Sequence, residues 1–420
     1  MVARSSSPRI SASEGLKLGD LIRDAFPALW KVPWLNWHQR SVLFRMSRCG
    51  TGALGYTEFG CRACRSREHR PLGCQDRHCP SCGVRRREEW AQARLAEVID
   101  GPCFHLVFTV PGELYGLFRD NQEELYSLFF SGVNETLATF AADAKYLGGT
   151  PAFFSILHTT NRRLGYHPHV HVVISGSAFN EARGRLVQVK KDDFLFPARA
   201  LASSFRGRFL TGLRELANAG KLDFIGKRAK DLANPGRIET LISKLFAKNW
   251  QVRTDAATGQ AERVIRYLAR YTNRTAISNA RIVRYEKGQA TYISRDSKTN
   301  QRRSDTLPLL GLVRRFAQHI LPKRFRRIRF YGLLSPAKRR TLLVRAQAAA
   351  RHLARLRGLQ LAVRCSLTPE RPPPLCCEAC GAEGLVPIAV VRGSKKTLIN
   401  TDMFAIPPPR PTRPATREAR

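Results

Sequence analysis

Three histidines alternate with other residues inside an apolar stretch of the chain, and this pattern restricts the local fold more than any other feature. His167, His169 and His171 occupy every second position, and a Val-Val-Ile run follows them. Side chains on a strand point to opposite faces in turn, so the three imidazoles would share one face while Val170 points into a core. The sequence therefore predicts a strand over Pro168 to Ser175.

A second predicted strand, Ala152 to His158, precedes the first and is joined to it by the polar loop Thr159 to Tyr166. Pairing across this loop would bring His158 beside His169. Two imidazoles and a third ligand suit a divalent ion and leave coordination positions open for phosphate oxygens. Any one of these histidines alone would be read as solvent-facing or hydrogen-bonded. The predicted metal ligands are His158, His169 and His171, with His167 as the competing third ligand.

A pair of tyrosines lies about a hundred residues further along, in a predicted helix over Ala261 to Tyr271. Residues four apart share one helix face, so Tyr267 and Tyr271 would lie side by side. Alone they would be read as core aromatics, but flanking Arg266 and Arg270 and the predicted metal site favour a nucleophilic role. A phosphotyrosine ester conserves the energy of a broken phosphodiester, so rejoining needs no ATP. Consistently, the chain contains no ATP-binding phosphate loop.

Two Cys-x-x-Cys pairs, Cys61 with Cys64 and Cys79 with Cys82, are separated by fourteen residues. This spacing is close to that of two knuckles that place four thiolates around one structural zinc ion. The alternative is a redox dithiol. The surrounding sequence offers more ligands than one ion needs, so a second zinc is left open. These further candidates are Cys49, His69, Cys74 and His78 nearby, and Cys365, Cys376, Cys377 and Cys380 near the carboxyl terminus.

Charge identifies the class of partner. The chain has 420 residues, 43% of them hydrophobic, and its 71 Lys and Arg against 33 Asp and Glu give a net charge of +38. A field of this size favours nucleic acid. An anionic membrane is the competing partner, but no apolar run is long enough to span a bilayer, and Met1 to Gly15 lacks the core of a signal peptide. We therefore expect a cytoplasmic, nucleoid-associated protein that does not bind membranes.

The remaining patterns predict an α+β chain. A strand over Cys103 to Val110 and a long amphipathic helix over Glu113 to Leu147 precede the histidine strands, which predicts an antiparallel sheet with helices on one face. We expect a leader and zinc-binding domain over residues 1–99, a catalytic domain over 100–345, and a cysteine-containing segment with a disordered Pro/Arg tail over 346–420. The oligomeric state cannot be read from the sequence.

A basic stretch, Lys323 to Tyr331, alternates cations with apolar and aromatic residues. Cations could contact a single strand's backbone while rings stack on its bases. An ordinary buried strand with solvated arginines explains the pattern equally well. The DNA-binding candidates are Arg326, Arg327 and Arg329, together with Arg266 and Arg270 beside the tyrosines.

Several motifs together resemble the rolling-circle transposases of bacterial insertion sequences. They occur in that family's order and comprise Phe104 to Pro111, His158 to His171, Tyr267 to Thr272 with Ala276 to Asn279, Arg326 to Gly332, and the zinc signature Cys74 to Cys82. The resemblance covers about residues 20 to 385. It implies the HUH endonuclease fold, two tyrosines and an N-terminal zinc-binding domain.

Position by position, the resemblance makes His169 and His171 the HUH metal ligands and Tyr267 and Tyr271 the candidate nucleophiles. Cys61, Cys64, Cys79 and Cys82 correspond to zinc ligands. It further implies Mg²⁺ or Mn²⁺ at the histidines and nicking of single-stranded or melted element ends. The products would be a 5′-phosphotyrosine and a free 3′-OH. The rival interpretations are a non-catalytic, zinc-containing DNA-binding regulator and a hydrolytic metal nuclease.

Overall fold

The computed structural model describes residues 15–82, 97, 99, 101–226, 230–234, 236–256, 275–296, 299–356 and 375–399. Within these ranges the chain is a mixture of helices and antiparallel strands, so the predicted α+β class is confirmed. The helices are α1 (Leu18–Leu29), α2 (Trp37–Ser47), α3 (Tyr115–Asp120), α4 (Gln122–Ala142), α5 (Ala198–Asn218), α6 (Arg237–Phe246), α7 (Leu309–Ala317), α8 (Pro336–Arg339) and α9 (Leu342–Leu356). The strands are β1 (Tyr56–Cys61), β2 (Arg67–Pro71), β3 (Cys103–Thr109), β4 (Thr150–Thr160), β5 (Tyr166–Asn180), β6 (Arg185–Gln188), β7 (Gln251–Ala256), β8 (Ile282–Glu286), β9 (Gln289–Arg295), β10 (Arg302–Pro308), β11 (Ile328–Gly332), β12 (Leu385–Arg392) and β13 (Lys395–Leu398).

The central sheet has the order β11-β4-β5-β3-β7, and β6 pairs with β5 beyond this path. Strands β4 and β5 are its long middle strands and pair antiparallel across a short turn. Their pairing is the hairpin that the sequence predicts around the polar loop. The strands extend beyond the predicted bounds at both ends, so the turn shortens to residues 161–165.

One face of the central sheet is covered by α4, α5 and α6. Apolar side chains at alternate strand positions, such as Phe108, Leu157 and Val170, pack there against Phe129 and Phe205 of the helices. Every one of these five side chains is fully buried. Alternation along the strands therefore commits one complete face to the principal core.

The opposite face is divided between a second apolar layer and the histidines. At one end, Leu343, Ala346 and Ala350 of α9 pack on Phe154 and Ile156. The expectation of helices on one face alone is therefore wrong. The predicted boundary at residue 345 also falls inside α9, because the apolar stripe of that helix completes the sheet's core.

The amino-terminal helices form a separate core with the segment that follows residue 275. Leu21 and Val42 of α1 and α2 are buried with Tyr292 of β9 and Phe316 of α7.

Asn36 caps the amino-terminal end of α2. Its side chain accepts from Gln39 N–H at 2.8 Å, and its own N–H donates to the Gln39 side chain at 3.1 Å.

A further sheet, in the order β13-β12-β1-β2, joins strands from the two ends of the described chain. β1 pairs antiparallel with β12, with Tyr56 opposite Val391 and Cys61 opposite Leu385. The carboxyl-terminal strands thus add to the amino-terminal domain. This arrangement was not predicted, because the sequence analysis placed residues 346–420 in a segment of their own.

The predicted helix over Glu113 to Leu147 is interrupted at Asn121. Its side chain donates to Leu117 O at 3.1 Å and to Asp223 O at 2.8 Å, and it accepts from Asp223 N–H at 2.6 Å. This network holds Asn121 outside the helical conformation, so α3 ends there and α4 begins.

Among the described helices, none is long and apolar enough to cross a membrane.

The turn between β4 and β5 is anchored by Leu164, whose side chain is fully buried in the amino-terminal core although its φ is +61°. Leu164→Ala should lower the free energy of unfolding by about 2–5 kcal/mol, because a buried aliphatic side chain is lost at a site that cannot collapse fully. Urea unfolding of the purified protein measures this. The control is exposed Arg163→Ala, expected to change stability by only about 0.5 kcal/mol. Equal effects of the two substitutions would contradict the anchoring role.

Candidate metal and nucleic-acid site

The register of the β4–β5 hairpin brings three histidines together. His158 pairs directly with His169, and a register shift follows immediately after His158. His171 lies one strand repeat from His169 on the same face. The ring centroids of His158 and His171 are 4.5 Å apart, and those of His169 and His171 are 4.9 Å apart. One nitrogen from each of the three rings lies within 4.8 Å of the others, so the group could hold a metal ion.

Backbone contact sets the proton position on His169. Its Nδ1 lies 2.7 Å from His167 O, a carbonyl that can only accept, so Nδ1 carries the proton. The other nitrogen, Nε2, is therefore unprotonated and can act as a metal ligand. An imidazole oriented in this way by its second nitrogen is the usual arrangement of a histidine ligand.

His171 is oriented by a histidine that the sequence analysis did not select. His105 of β3 lies with its Nε2 2.9 Å from His171 Nδ1, and the two ring planes differ by 3°. His105 Nδ1 faces the Asp255 carboxylate at 4.0 Å, which favours a proton on that nitrogen. His105 Nε2 then accepts from His171 Nδ1, so His171 Nε2 is the unprotonated nitrogen and can act as a metal ligand. Burial lowers the pKa of His105, which favours this neutral form.

The competing third ligand, His167, has a different contact. Its Nδ1 hydrogen-bonds the Tyr115 hydroxyl, and its ring centroid lies 5.1 Å from that of His169. Burial lowers the pKa of His167. Although His167 shares the strand face of the other histidines, the group whose nitrogens converge contains His158 in its place. The structure therefore favours His158 over His167 as the third ligand.

The three histidines open onto a cavity of about 320 Å³. Its wall also contains Arg77, Arg162 and Arg327, together with Thr275 and His319. Burial, reinforced by the neighbouring charge of Arg77, lowers the pKa of Arg327 to about 10, so it still carries its charge at neutral pH. A metal site beside desolvated guanidinium groups has the chemistry of a phosphate-binding cavity.

The three arginines of the basic stretch that were predicted to bind DNA lie in different environments. Arg326 is exposed, whereas Arg327 lines the cavity. Arg329 lies in β11, with its guanidinium carbon 4.5 Å from the centre of the Phe130 ring, and it donates to Ser127 Oγ at 3.1 Å. The alternative of an ordinary strand thus describes Arg329 better than a solvent-facing DNA contact does.

The cysteines form two clusters instead of the single predicted site. One contains Cys49, Cys74, Cys79 and Cys82, and the other contains Cys61, Cys64, Cys377 and Cys380. The predicted grouping of Cys61 and Cys64 with Cys79 and Cys82 around one ion is therefore wrong. Cys49 and Cys74 were predicted only as further candidate ligands, and the partners of Cys61 and Cys64 lie more than three hundred residues away along the chain.

The first cluster has the dimensions of a zinc site. Sulphur separations are 3.6 Å for Cys49 and Cys82, 3.7 Å for Cys49 and Cys79, and 3.8 Å for Cys74 and Cys82. Tetrahedral zinc with bonds of about 2.3 Å has sulphur edges of about 3.8 Å. Four thiolates leave no open coordination position, so this site stabilises the fold and performs no chemistry.

Residues between the cysteines of this cluster attach it to the histidine cavity. Arg77 donates to Phe325 O at 2.5 Å and to Pro322 O at 2.8 Å, and His78 Nε2 accepts from Leu321 N–H at 3.1 Å. His78 Nδ1 donates to Asp76 at 2.8 Å. Burial alone would raise the pKa of Asp76, but its hydrogen bonds with His78 and Arg45 hold it below the usual value. The first cluster therefore builds one wall of the cavity, which Arg77 and His78 both line.

The tyrosine predictions cannot be compared with geometry. Tyr267, Tyr271, Arg266 and Arg270 all lie in residues 257–274, outside the described part of the chain.

Two family matches and two named relatives were found by comparison with known proteins. Residues 152–341 match a family described as putative transposase, and residues 21–110 match one described as transposase zinc-binding domain. The putative transposase y4qJ of Sinorhizobium fredii is 36% identical over 302 residues, which cover 71% of this chain and 75% of the relative. The transposase for insertion sequence element IS801 of Pseudomonas savastanoi pv. phaseolicola is 28% identical over 69% of each chain. No solved structure matches the chain.

The zinc-binding match contains all four cysteines of the first cluster, and the larger match contains the histidine hairpin. The alignment with one relative, at 36% identity, covers three quarters of that protein. The chain belongs to the rolling-circle transposases of bacterial insertion sequences that carry an N-terminal zinc-binding domain.

Proposed function

We propose that this transposase nicks and rejoins single-stranded DNA at the ends of its element through a 5′-phosphotyrosine intermediate. The observation that carries the proposal is the convergence of His158, His169 and His171 on a cavity lined with arginines. A zinc-containing regulator without catalytic activity would not need such a site. Because its substrate would be DNA, the protein would act at the nucleoid.

The three imidazole nitrogens can hold a divalent ion, and the family resemblance implies Mg²⁺ or Mn²⁺ as that ion. Two of these nitrogens, Nε2 of His169 and Nε2 of His171, are left unprotonated by the contacts of the same rings. Three neutral imidazoles leave further coordination positions for oxygen ligands. When bound there, a divalent cation would polarise a phosphate oxygen and neutralise the charge that develops on it.

The chain's own residues would position the scissile phosphate and supply the nucleophile. Arg327 and Arg77 line the cavity and provide positive charge for a phosphate. The phenolic oxygen of Tyr267 or Tyr271 would attack phosphorus while the bond from phosphorus to the 3′ oxygen breaks. The phenol loses its proton, and the departing oxygen gains one to become a free 3′-OH. The new ester retains the energy of the broken bond, so the reverse attack joins strands without ATP.

Chain connectivity supports Tyr271 as a nucleophile for this cavity. Thr275 lines the cavity, and Tyr271 precedes it by four positions in the sequence. Four residues span at most about 14 Å even when fully extended. A second tyrosine, Tyr267, would allow a second strand transfer before the first ester is resolved.

The histidine requirement can be tested with an oligonucleotide that carries the element end and a label on its 3′ side. With Mn²⁺, a labelled covalent adduct of the protein should appear on a denaturing gel. His169→Ala with His171→Ala should reduce it to background, because both ligands on one strand are lost. The exposed His352→Ala variant is the control. Normal adduct formation by the double variant would overturn the assignment of the metal site.

The tyrosine requirement separates strand transfer from hydrolysis. Tyr267→Phe combined with Tyr271→Phe should abolish the adduct and all cleavage, because no nucleophile remains. Peptide mapping of the wild-type adduct should find DNA on one of these two tyrosines. If the double variant still releases a 5′-phosphate product, the protein is a hydrolytic nuclease. If the wild type forms no adduct with Mg²⁺ or Mn²⁺, the regulator interpretation is supported.

Substitution of His105 tests its role as a positioning residue. His105→Ala should raise the Mn²⁺ concentration needed for half-maximal adduct formation by about 10–100-fold, because His171 loses the contact that fixes its tautomer. His105→Gln, which can still accept a hydrogen bond, should recover part of the loss. Calorimetric titration with Mn²⁺ should rank the affinities in the same order, with the wild type highest, His105→Gln next and His105→Ala lowest. A change in maximal rate with unchanged Mn²⁺ affinity would contradict this role.

A further inference from the structure

We propose that the protein holds a second zinc ion between its two ends, in a four-thiolate site formed by Cys61, Cys64, Cys377 and Cys380. The zinc-binding match ends at residue 110 and contains only the first two of these cysteines. The site is therefore additional to the one that the family's zinc-binding domain explains. The proposal does not depend on the nicking mechanism.

The four sulphur atoms have the spacing of a zinc tetrahedron. Cys61 Sγ lies 3.7 Å from Cys380 Sγ, and Cys64 Sγ lies 3.7 Å from Cys377 Sγ. All four lie within 4.8 Å of one another. Zinc–sulphur bonds of about 2.3 Å give edges of about 3.8 Å, whereas a disulfide has a length of about 2.05 Å. The distances agree with thiolates that share an ion.

Both halves of the site have the same backbone structure, although their sequences differ. Cys61 N–H donates to Ser66 O at 2.9 Å, and Cys377 N–H donates to Ala382 O at 2.9 Å. In each half the residue after the second cysteine has a left-handed conformation, with φ +62° at Arg65 and +69° at Gly381.

The same left-handed residue closes each turn. Arg65 N–H donates to Cys61 O at 3.0 Å, and Gly381 N–H donates to Cys377 O at 2.8 Å. Two matching turns that present their cysteines to each other form the pair of knuckles of a zinc ribbon. A chance meeting of four thiols would not require this repeated geometry.

Neighbouring groups stabilise thiolate ligands at this place. Ser66 Oγ lies 3.0 Å from Cys64 Sγ and 3.1 Å from Cys377 Sγ, so its hydroxyl contacts one ligand from each half. Arg62 lies within the first knuckle and Arg65 directly follows it. A four-thiolate zinc site carries a net charge of about −2, which hydroxyl donors and adjacent arginines offset.

The sheet around the site holds the two knuckles in register. β1 ends at Cys61 and pairs with β12, which begins at Leu385, shortly after the second knuckle. Buried Glu58 of β1 accepts from Arg67 at 2.8 Å and forms an ion pair with Lys396 of β13 at 2.5 Å. Bound zinc would thus fasten the segment 375–399 to the amino-terminal domain.

Metal analysis of the full-length protein tests the proposal, with Cys376 as a matched control. Cys376 is next to the second knuckle but outside the four-cysteine group. Elemental analysis should find two zinc ions per wild-type chain and two in Cys376→Ser. Cys377→Ser with Cys380→Ser should retain one. A wild-type content of one, or two ions retained by the double variant, would overturn the proposal.

A second measurement keeps the result independent of folding. Cys380→His preserves a possible zinc ligand, so this variant should keep two ions, and its cobalt-substituted form should show an absorption spectrum with one thiolate fewer. In the double variant, limited proteolysis should cleave within residues 375–399 faster than in Cys376→Ser, because the zinc attachment is lost. A disulfide between Cys61 and Cys380 in protein alkylated without reduction would overturn the proposal.

Discussion

The antiparallel pairing of β4 with β5 is the constraint on which the rest of the site depends. Its register places His158 opposite His169 and leaves His171 one repeat away on the same face. A shift of one residue would turn one strand's histidines into the helix-covered core and expose its apolar face. Burial of Val170 and Leu157 on the helix side therefore fixes the position of the imidazoles on the other. Apolar packing and the convergence of the three imidazoles are set by the same hydrogen-bond ladder.

The zinc-binding domain contributes to the wall of the histidine-lined cavity instead of lying apart from it. Arg77 and His78 hold the segment from Leu321 to Phe325, and Arg327 lies two residues beyond this segment. The fold of the first cysteine cluster thus determines where a charged wall of the cavity lies. Zinc bound there would perform no chemistry, but its loss would displace groups that line the cavity together with the three histidines.

Much of the site was predictable because its signals are local. Alternation of His169 and His171 within an apolar strand, and His158 across a short loop, required only period-two geometry and one hairpin. The contact of His105 with His171 was not predictable, since β3 reaches β5 from more than sixty residues earlier. A lone histidine on an apolar strand gives no signal of its partner. The roles of Tyr267 and Tyr271 remain predictions based on their spacing and their family resemblance.

The sequence by itself determined the α+β class, the histidine strand and the presence of cysteine knuckles, because each follows from neighbouring residues and their spacing. Only the tertiary structure decided which knuckles share an ion. Spacing favours the nearest pair, Cys79 and Cys82, as the partners of Cys61 and Cys64, but β12 pairs with β1 and brings Cys377 and Cys380 there instead. A metal site forms where sulphur atoms converge in space, and sheet pairing between distant segments sets that convergence.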